Sequence, residues 1–250
     1  MKYIKENWKF FLIMVLICII GGYFSAEYTL GLYDQSLIEE AIKEFGSEGA
    51  IIGVTVVEVA LYGIIFTALG IILSNKVKLW KKFEYKKNAL YDTLLIAIIG
   101  GFAIILGDKY VFGAFNNQVY HLYDAKPTFN YIMSAFTYGG VFEEILMRLF
   151  VMSLIVWAIS KIFYKKKEIP TKIHIIANVV AGLLFAAGHI PATIQTFGGL
   201  NALLLIRCFV MNGAFGIAFG WLYRKYSIYY SMLAHFGCHL ICIIIWLLFV

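Results

Sequence analysis

The chain consists of long apolar runs separated by short polar stretches, many of them rich in lysine. A helix needs about 20 mostly apolar residues to cross a hydrocarbon core about 30 Å thick. We predict seven membrane spans, over residues 8–31, 50–74, 89–113, 130–160, 173–190, 200–223 and 227–249. The pattern indicates an all-α, polytopic transmembrane helical bundle that forms a single integral membrane domain over residues 1–250.

The composition agrees with a lipid bilayer as the solvent. Of the 250 residues, 62% are hydrophobic and 14% are charged, and a water-soluble domain with that balance would expose large apolar patches. The 22 glycines suit close packing of helices within a membrane. The cysteines all lie in apolar runs without a metal or redox spacing, which predicts buried free thiols at Cys18, Cys208, Cys238 and Cys242.

Basic residues predict the orientation of the chain. They collect before span one and between spans two and three, four and five, and six and seven: Lys2, Lys5, Lys9, Lys76, Lys78, Lys81, Lys82, Lys86, Lys87, Lys161, Lys165, Lys166, Lys167, Lys172, Arg224 and Lys225. The alternate stretches are acidic, uncharged, or balanced between Asp108 and Lys126. The positive-inside rule then gives a multi-pass cell-membrane protein with a cytoplasmic N-terminus and an external C-terminus. A net charge of +6 can indicate a nucleic-acid partner. No such partner is expected here, because the lysines form no stripe with interleaved aromatic residues.

One acidic stretch shows helical periodicity. Between residues 34 and 46, acidic positions alternate with Leu37, Ile38, Ala41 and Ile42. This pattern predicts a short amphipathic helix on the outer surface of the membrane.

Ionisable residues inside apolar spans are the main functional signal, because inserting one costs roughly 3 kcal/mol. Glu144 and Arg148 are four residues apart on span four, which places them on one helix face as an ion pair. Glu143 points about 100° away around the helix and has no local partner. Glu58 and Arg207 form a second predicted pair, structural in role, between spans two and six.

Three histidines also lie within the late spans. His189 stands near the end of span five, whereas His235 and His239 are four residues apart on one face of span seven. A lone buried histidine is usually a satisfied core residue. Three of them, together with the unpaired carboxylate of Glu143, indicate a joint site.

Three kinds of function fit such a site. A carboxylate and a neutral imidazole that converge on one water can activate it for attack on a carbonyl, and a second pair of donors can stabilise the oxyanion. The same residue types can bind zinc, although no span carries His-Glu-x-x-His. A proton-coupled transporter uses buried Glu, Arg and His as a relay, but its inverted repeats are not visible here.

The motif series resembles that of one protease family. It consists of Glu143-Glu144-x-x-x-Arg148, Phe185-x-x-x-His189, and His235 with a polar residue four positions later. These motifs, in this order on three spans, are similar to those of the CPBP family, also called the Abi or CAAX protease family. The similarity covers roughly residues 130–245 and implies an endopeptidase that cuts peptide bonds near or within the membrane.

The resemblance also implies roles for the site residues. Glu143 and His189 activate water, and the predicted catalytic set is Glu143, Glu144, Arg148, His189, His235 and His239. His235 and His239 form the oxyanion hole, with His239 in place of the asparagine that many family members carry. The glutamate mechanism needs no cofactor, and zinc is the alternative that older metalloprotease descriptions of the family imply.

The partners implied are a lipid bilayer and a membrane-associated peptide or protein precursor. Lysine-rich and isoleucine-rich usage suggests a bacterial member, for which a farnesylated substrate is not expected. Within the single membrane domain, we expect residues 1–128 to form spans one to three and residues 129–250 to form the catalytic core, spans four to seven. A non-catalytic immunity or scaffold protein with the same polar core is the rival interpretation, and the sequence says nothing of the oligomeric state.

The rise of a helix places the predicted site along the membrane normal. His189 lies about 25 Å above Lys172, and Glu143 about 27 Å above Lys161, if both lysines mark the inner boundary. The sequence therefore predicts a cavity that is entered from the outer half of the membrane and roofed by the uncharged segment 191–201.

Overall fold

The computed structural model describes residues 2–165 and 167–249, so the predicted basic residue Lys166 lies outside the described residues. That part of the chain is helical or irregular and contains no strand. Within it, seven helices are long and apolar enough to cross a membrane: Trp8–Leu30, Glu48–Lys76, Lys87–Phe112, Phe129–Phe163, Thr171–Phe197, Ala202–Lys225 and Ile228–Phe249. These are spans one to seven below. The predicted all-α bundle is confirmed, and only span five extends well beyond its predicted end.

Span four forms the centre of the bundle. It packs against spans one, two, five, six and seven, and its residues Ile145, Leu149 and Met152 are fully buried. The peripheral spans instead leave apolar side chains such as Leu16 and Val57 more than half exposed. Apolar residues on the outside and a polar centre are the arrangement expected when lipid surrounds the protein.

Spans five and six approach closely at glycine positions. A side chain at Gly220 would collide with the carboxamide of Asn178, and one at Gly182 would collide with Ile217. Asn178 Nδ2 donates a hydrogen bond to the Ile217 carbonyl at 2.9 Å. Small residues thus let a side chain of one helix donate a hydrogen bond to the backbone of the other inside the membrane.

Four stretches of the spans are π-helical: Gly107–Phe112, Ala135–Phe142, Ile145–Met152 and Phe209–Gly213. Two of them flank Glu143 and Glu144 on span four. π-Helical turns are rare and frequently occur at functional sites, because the wider turn reorients side chains locally. Hydrophobic periodicity did not predict them.

Span five is interrupted at His189. Its first helix, Thr171–Gly188, ends there, and a second helix, Ile190–Phe197, follows with Pro191 in its first turn. Proline is tolerated at that position because the amide of the first turn has no intrahelical acceptor. The segment predicted as a roof is therefore mostly helical.

The predicted short helix and the predicted buried free cysteines are both present. Residues Gln35–Phe45 form a helix with no buried residue, which ends at Gly46 in the left-handed conformation with φ of 90°. All cysteines are buried and free: Cys18, Cys208, Cys238 and Cys242.

The predicted pair between Glu58 and Arg207 is wrong. Arg207 instead binds Asp108 in a bidentate fashion, with its Nε and Nη2 each 2.6 Å from a carboxylate oxygen. Asp108 is fully buried and also accepts a hydrogen bond from the Tyr123 hydroxyl at 2.7 Å, whereas Glu58 is exposed on span two. The error arose because Asp108 was counted among loop charges, although it lies within span three both as predicted and as observed.

Candidate active site

The structure brings the predicted site residues together inside the bundle. Span four supplies three of them, span five one, and span seven two: Glu143, Glu144, Arg148, His189, His235 and His239. They form two layers, a carboxylate with two imidazoles at a cavity and a buried ionic network beneath it.

Glu143 lies between two imidazole rings. Its Oε1 is 3.9 Å from His189 Nε2, and its Oε2 is 3.9 Å from His235 Nε2. Both distances exceed a direct hydrogen bond but are short enough for one bridging water. The side chain is 18% exposed, so it reaches the cavity, in agreement with the prediction that it points away from Glu144.

The second layer is centred on Glu144, whose side chain is completely buried. Arg148 Nη1 lies 2.9 Å from Glu144 Oε1, which confirms the predicted ion pair. The carboxylate also accepts hydrogen bonds from His235 Nδ1 at 2.9 Å and from the Ser231 hydroxyl at 2.5 Å. An ionised carboxylate offers only acceptors, so two hydrogen-bond donors and the positive guanidinium stabilise its charge.

The charge of Arg148 is satisfied by aromatic and backbone groups in addition to the carboxylate. Its Nη2 donates to the Gly216 carbonyl at 2.9 Å, and its guanidinium lies 4.5 Å from the ring centre of Phe185 and 5.5 Å from that of Phe219. Both rings are close enough for cation–π attraction. Gly216 permits the approach, since a side chain there would crowd the guanidinium.

Hydrogen bonds indicate the tautomer of both imidazoles that face Glu143. His189 Nδ1 lies 2.9 Å from the Phe185 carbonyl, and His235 Nδ1 lies 2.9 Å from the Glu144 carboxylate. Because each partner can only accept, each Nδ1 carries a proton. A neutral ring then presents the lone pair of Nε2 towards Glu143.

His239 stacks on His235, with ring centres 4.9 Å apart and planes inclined by 22°. Gly139 makes room for it, because a side chain at that position would collide with His239 Nε2. The structure thus places the histidine pair of span seven side by side at the cavity.

The cavity next to Glu143 has a volume of about 320 Å³ and adjoins a second one of about 300 Å³. His189, Ala192 and His239 line both, so the two form lobes of one space. The lobes are bordered by Tyr28 and Tyr131, which lie at the ends of spans one and four away from the lysine-rich stretches. The space therefore opens towards the face opposite the lysines.

Several lining residues were not predicted from the sequence. Asn212 borders both lobes, and Arg207 borders the second. Ser25, Tyr28 and Ile104 come from spans one and three, outside the residues assigned to the catalytic core. Arg207 was noted as an intramembrane charge, but the other four gave no signal because an uncharged residue in an apolar span has many structural uses.

The fit of a metal ion can be judged from the spacing. Tetrahedral zinc with ligands at about 2.0–2.1 Å requires ligand atoms about 3.4 Å apart. Glu143, His189 and His235 have suitable donor atoms, but the distances from the glutamate to the imidazoles are 3.9 Å. Among the described residues, no group of three His, Cys, Asp or Glu side chains has the geometry to hold a metal ion. As placed, the residues do not fit a zinc site.

Comparison with protein families matches residues 125–241 to a model described as type II CAAX prenyl endopeptidase Rce1-like. The matched segment includes every residue of the two layers described above. The match covers a little under half of the chain and supports the CAAX protease family as the source of the motif series. No curated protein and no solved structure gives a significant match. The resemblance predicted from the motifs is confirmed, and the CAAX protease match supports a membrane endopeptidase.

The matched segment begins just before span four and ends within span seven. Spans one to three lie outside it. They nevertheless complete the wall of the cavity through Ser25, Tyr28 and Ile104.

Proposed function

We propose that this chain is an intramembrane endopeptidase of the CAAX type, which hydrolyses a peptide bond in a membrane-associated peptide or protein precursor. The observation that carries the proposal is the position of Glu143, with one carboxylate oxygen 3.9 Å from His189 Nε2 and the other 3.9 Å from His235 Nε2. The family match supports proteolysis, and this geometry supports the use of water as the nucleophile.

Glu143 and His189 activate the water. A molecule about 2.8 Å from both groups donates one hydrogen bond to the carboxylate and one to the lone pair of His189 Nε2. Its oxygen then attacks the carbonyl carbon of the peptide while Glu143 takes the proton. His189 holds the required tautomer because its Nδ1 donates to the Phe185 carbonyl.

His235 and His239 stabilise the oxyanion. A neutral His235 cannot donate from Nε2, so it first accepts the proton that Glu143 has taken from water. The Glu144 carboxylate at Nδ1 stabilises the resulting imidazolium, which then donates to the carbonyl oxygen. His239 supplies the second donor, and the proton finally passes to the leaving nitrogen, so that water and peptide yield one acid and one amine.

The size of the cavity limits the substrate. A lobe of about 320 Å³ accommodates a few side chains but no folded domain, so the scissile segment must be extended or locally unfolded. The walls combine apolar groups with a small number of polar ones, which suits a peptide segment from the bilayer. A prenyl group on the substrate is not expected to be required.

We also propose that the reaction uses no metal. The proposal rests on the roles available to Glu143, His189 and His235. Together these residues can activate the water nucleophile and carry its proton without a metal ion. Zinc analysis of purified protein tests it. Stoichiometric zinc, with activity that is lost to a chelator and restored by zinc, would make the histidines ligands instead.

The deciding experiment incubates purified protein with candidate membrane peptides, with and without a prenyl group, in ¹⁸O-labelled water. Mass spectrometry should show a fragment whose new carboxyl group contains the label. Glu143→Gln and His189→Ala should reduce cleavage at least about 10²-fold, the typical contribution of a general base, while the yield of folded protein stays close to wild type. The exposed Glu58→Gln serves as the matched control and should cleave normally.

Equal activity of wild type and Glu143→Gln would remove the glutamate mechanism. The absence of any cleavage by wild type across the peptide set would favour the non-catalytic scaffold.

A further inference from the structure

A second polar pocket lies at the start of span seven, away from the catalytic cavity. The pocket has a volume of about 310 Å³ and lies between that start and the loop that joins spans two and three. Among the residues that line it are Lys81, Lys82, Glu84, Lys86, Ser227 and Tyr230. It belongs to the lysine-rich face and shares no lining residue with the catalytic cavity.

Lys81 is held in place by backbone groups. Its ammonium donates to the carbonyl of Arg224 at 2.7 Å and to that of Lys225 at 2.9 Å, at the end of span six. These bonds use two of its three donors and leave one free. Burial, together with the positive charges of Lys86 and Arg224, lowers the pKa of Lys81, so an anion bound beside it would relieve that repulsion.

The pocket has an excess of positive charge. Glu84 pairs with Lys86 at 3.0 Å, which leaves Lys81 and the exposed Lys82 uncompensated among the lining residues. The loop is rigidly placed, because the Tyr230 hydroxyl donates to the Glu84 carbonyl at 2.8 Å and accepts from the Lys86 amide at 2.9 Å. The positive groups are thus arranged before any ligand binds.

The unpaired hydroxyl of Ser227 indicates a ligand. The residue is 1% exposed and borders the pocket, and its hydroxyl has no hydrogen-bond partner among the described residues. A buried hydroxyl without a partner costs free energy. It directly precedes Ile228, the first residue of span seven, where free backbone amides and the helix dipole favour a negative group.

Aromatic side chains beside the pocket indicate where it lies in the membrane. Phe83, Tyr85 and Tyr91 are 56%, 71% and 66% exposed next to the lysines. Exposed aromatic residues beside lysines are typical of the interface between hydrocarbon and water. The anion most available at that depth is the phosphate of a lipid.

We propose that this pocket binds the phosphate-bearing headgroup of an anionic phospholipid such as phosphatidylglycerol. The phosphate accepts hydrogen bonds from the Ser227 hydroxyl and the free donor of Lys81, and Lys82 adds charge at the rim. The proposal is independent of the catalytic mechanism, since none of these residues takes part in it.

The test uses the full chain in phosphatidylcholine nanodiscs that contain a small fraction of phosphatidylglycerol, with native mass spectrometry to count the lipids that the released protein retains. Wild type should retain phosphatidylglycerol in preference to phosphatidylcholine. The double variant Lys81→Gln/Lys82→Gln, which removes the two uncompensated charges, should lower that retention about tenfold or more, since each basic residue near a bilayer surface contributes about 1 kcal/mol. Ser227→Ala, which removes only the hydroxyl, should lower it without any change in charge.

The matched control is Lys161→Gln/Lys165→Gln, which removes the same charge from exposed positions on the same face but outside the pocket. Retention like that of wild type in this control supports the proposal. Equal losses in both double variants would reduce the effect to general surface attraction and overturn it. So would a lack of lipid preference in wild type, or complete competition by millimolar inorganic phosphate, which would make free phosphate the ligand.

Discussion

Glu144 and Arg148 depend on each other because neither side chain reaches water. Their exposed fractions are 0% and 1%, so removal of one partner leaves a buried, uncompensated charge. Arg148→Met should therefore destabilise the protein by about 3–5 kcal/mol, as measured by thermal or denaturant unfolding in detergent. The double variant Arg148→Met/Glu144→Gln should recover part of that loss. A single variant as stable as wild type would contradict the role of the ion pair.

His239 offers a test of the second donor at the cavity. Asparagine can donate a hydrogen bond from its amide at any pH, so His239→Asn should retain cleavage within about tenfold of wild type. His239→Leu keeps the bulk but removes the donor, and should lower kcat by about 10²–10³-fold with little change in KM. Steady-state kinetics with one cleaved peptide would measure both. Similar kcat values for the two variants would show that His239 only packs against His235.

At the level of whole helices, the pair of Asp108 and Arg207 joins span three to span six. Asp108 is fully buried, and its loss leaves the Arg207 guanidinium without a counter-ion. Asp108→Ala should thus cost about 3–5 kcal/mol in unfolding free energy, whereas Glu58→Gln should cost almost nothing. The same unfolding assay compares them. Equal stability of the two variants would mean that the helices do not need this contact.

At the scale of the whole molecule, the catalytic cavity opens on one face of the bundle, and the lysine clusters lie on the opposite face. If the positive-inside rule holds, a membrane-impermeant thiol reagent should label Ala192→Cys in intact cells, because Ala192 is exposed and lines both lobes of the cavity. Lys165→Cys, exposed on the lysine-rich face, should react only after permeabilisation. Background should be low, since the native cysteines are buried. The reverse pattern would invert the topology and place the entrance in the cytoplasmic half.

Local features of the chain were predictable from the sequence. Membrane spans follow from the length of each apolar run, because a helix satisfies its own backbone hydrogen bonds in lipid. The pairing of Glu144 with Arg148 follows from their spacing on one helix, and the motif series around Glu143, His189 and His235 was sufficient to indicate the family.

Contacts between helices required the tertiary structure. Periodicity gives the position of a residue along and around its own helix, but not how that helix is rotated against its neighbours. Hence Arg207 was paired with Glu58 instead of Asp108, and the hydroxyl of Ser231 at Glu144 was not foreseen. For the same reason, only the packed bundle shows that spans one and three complete the cavity, and that the unpartnered hydroxyl of Ser227 borders a lysine-lined pocket.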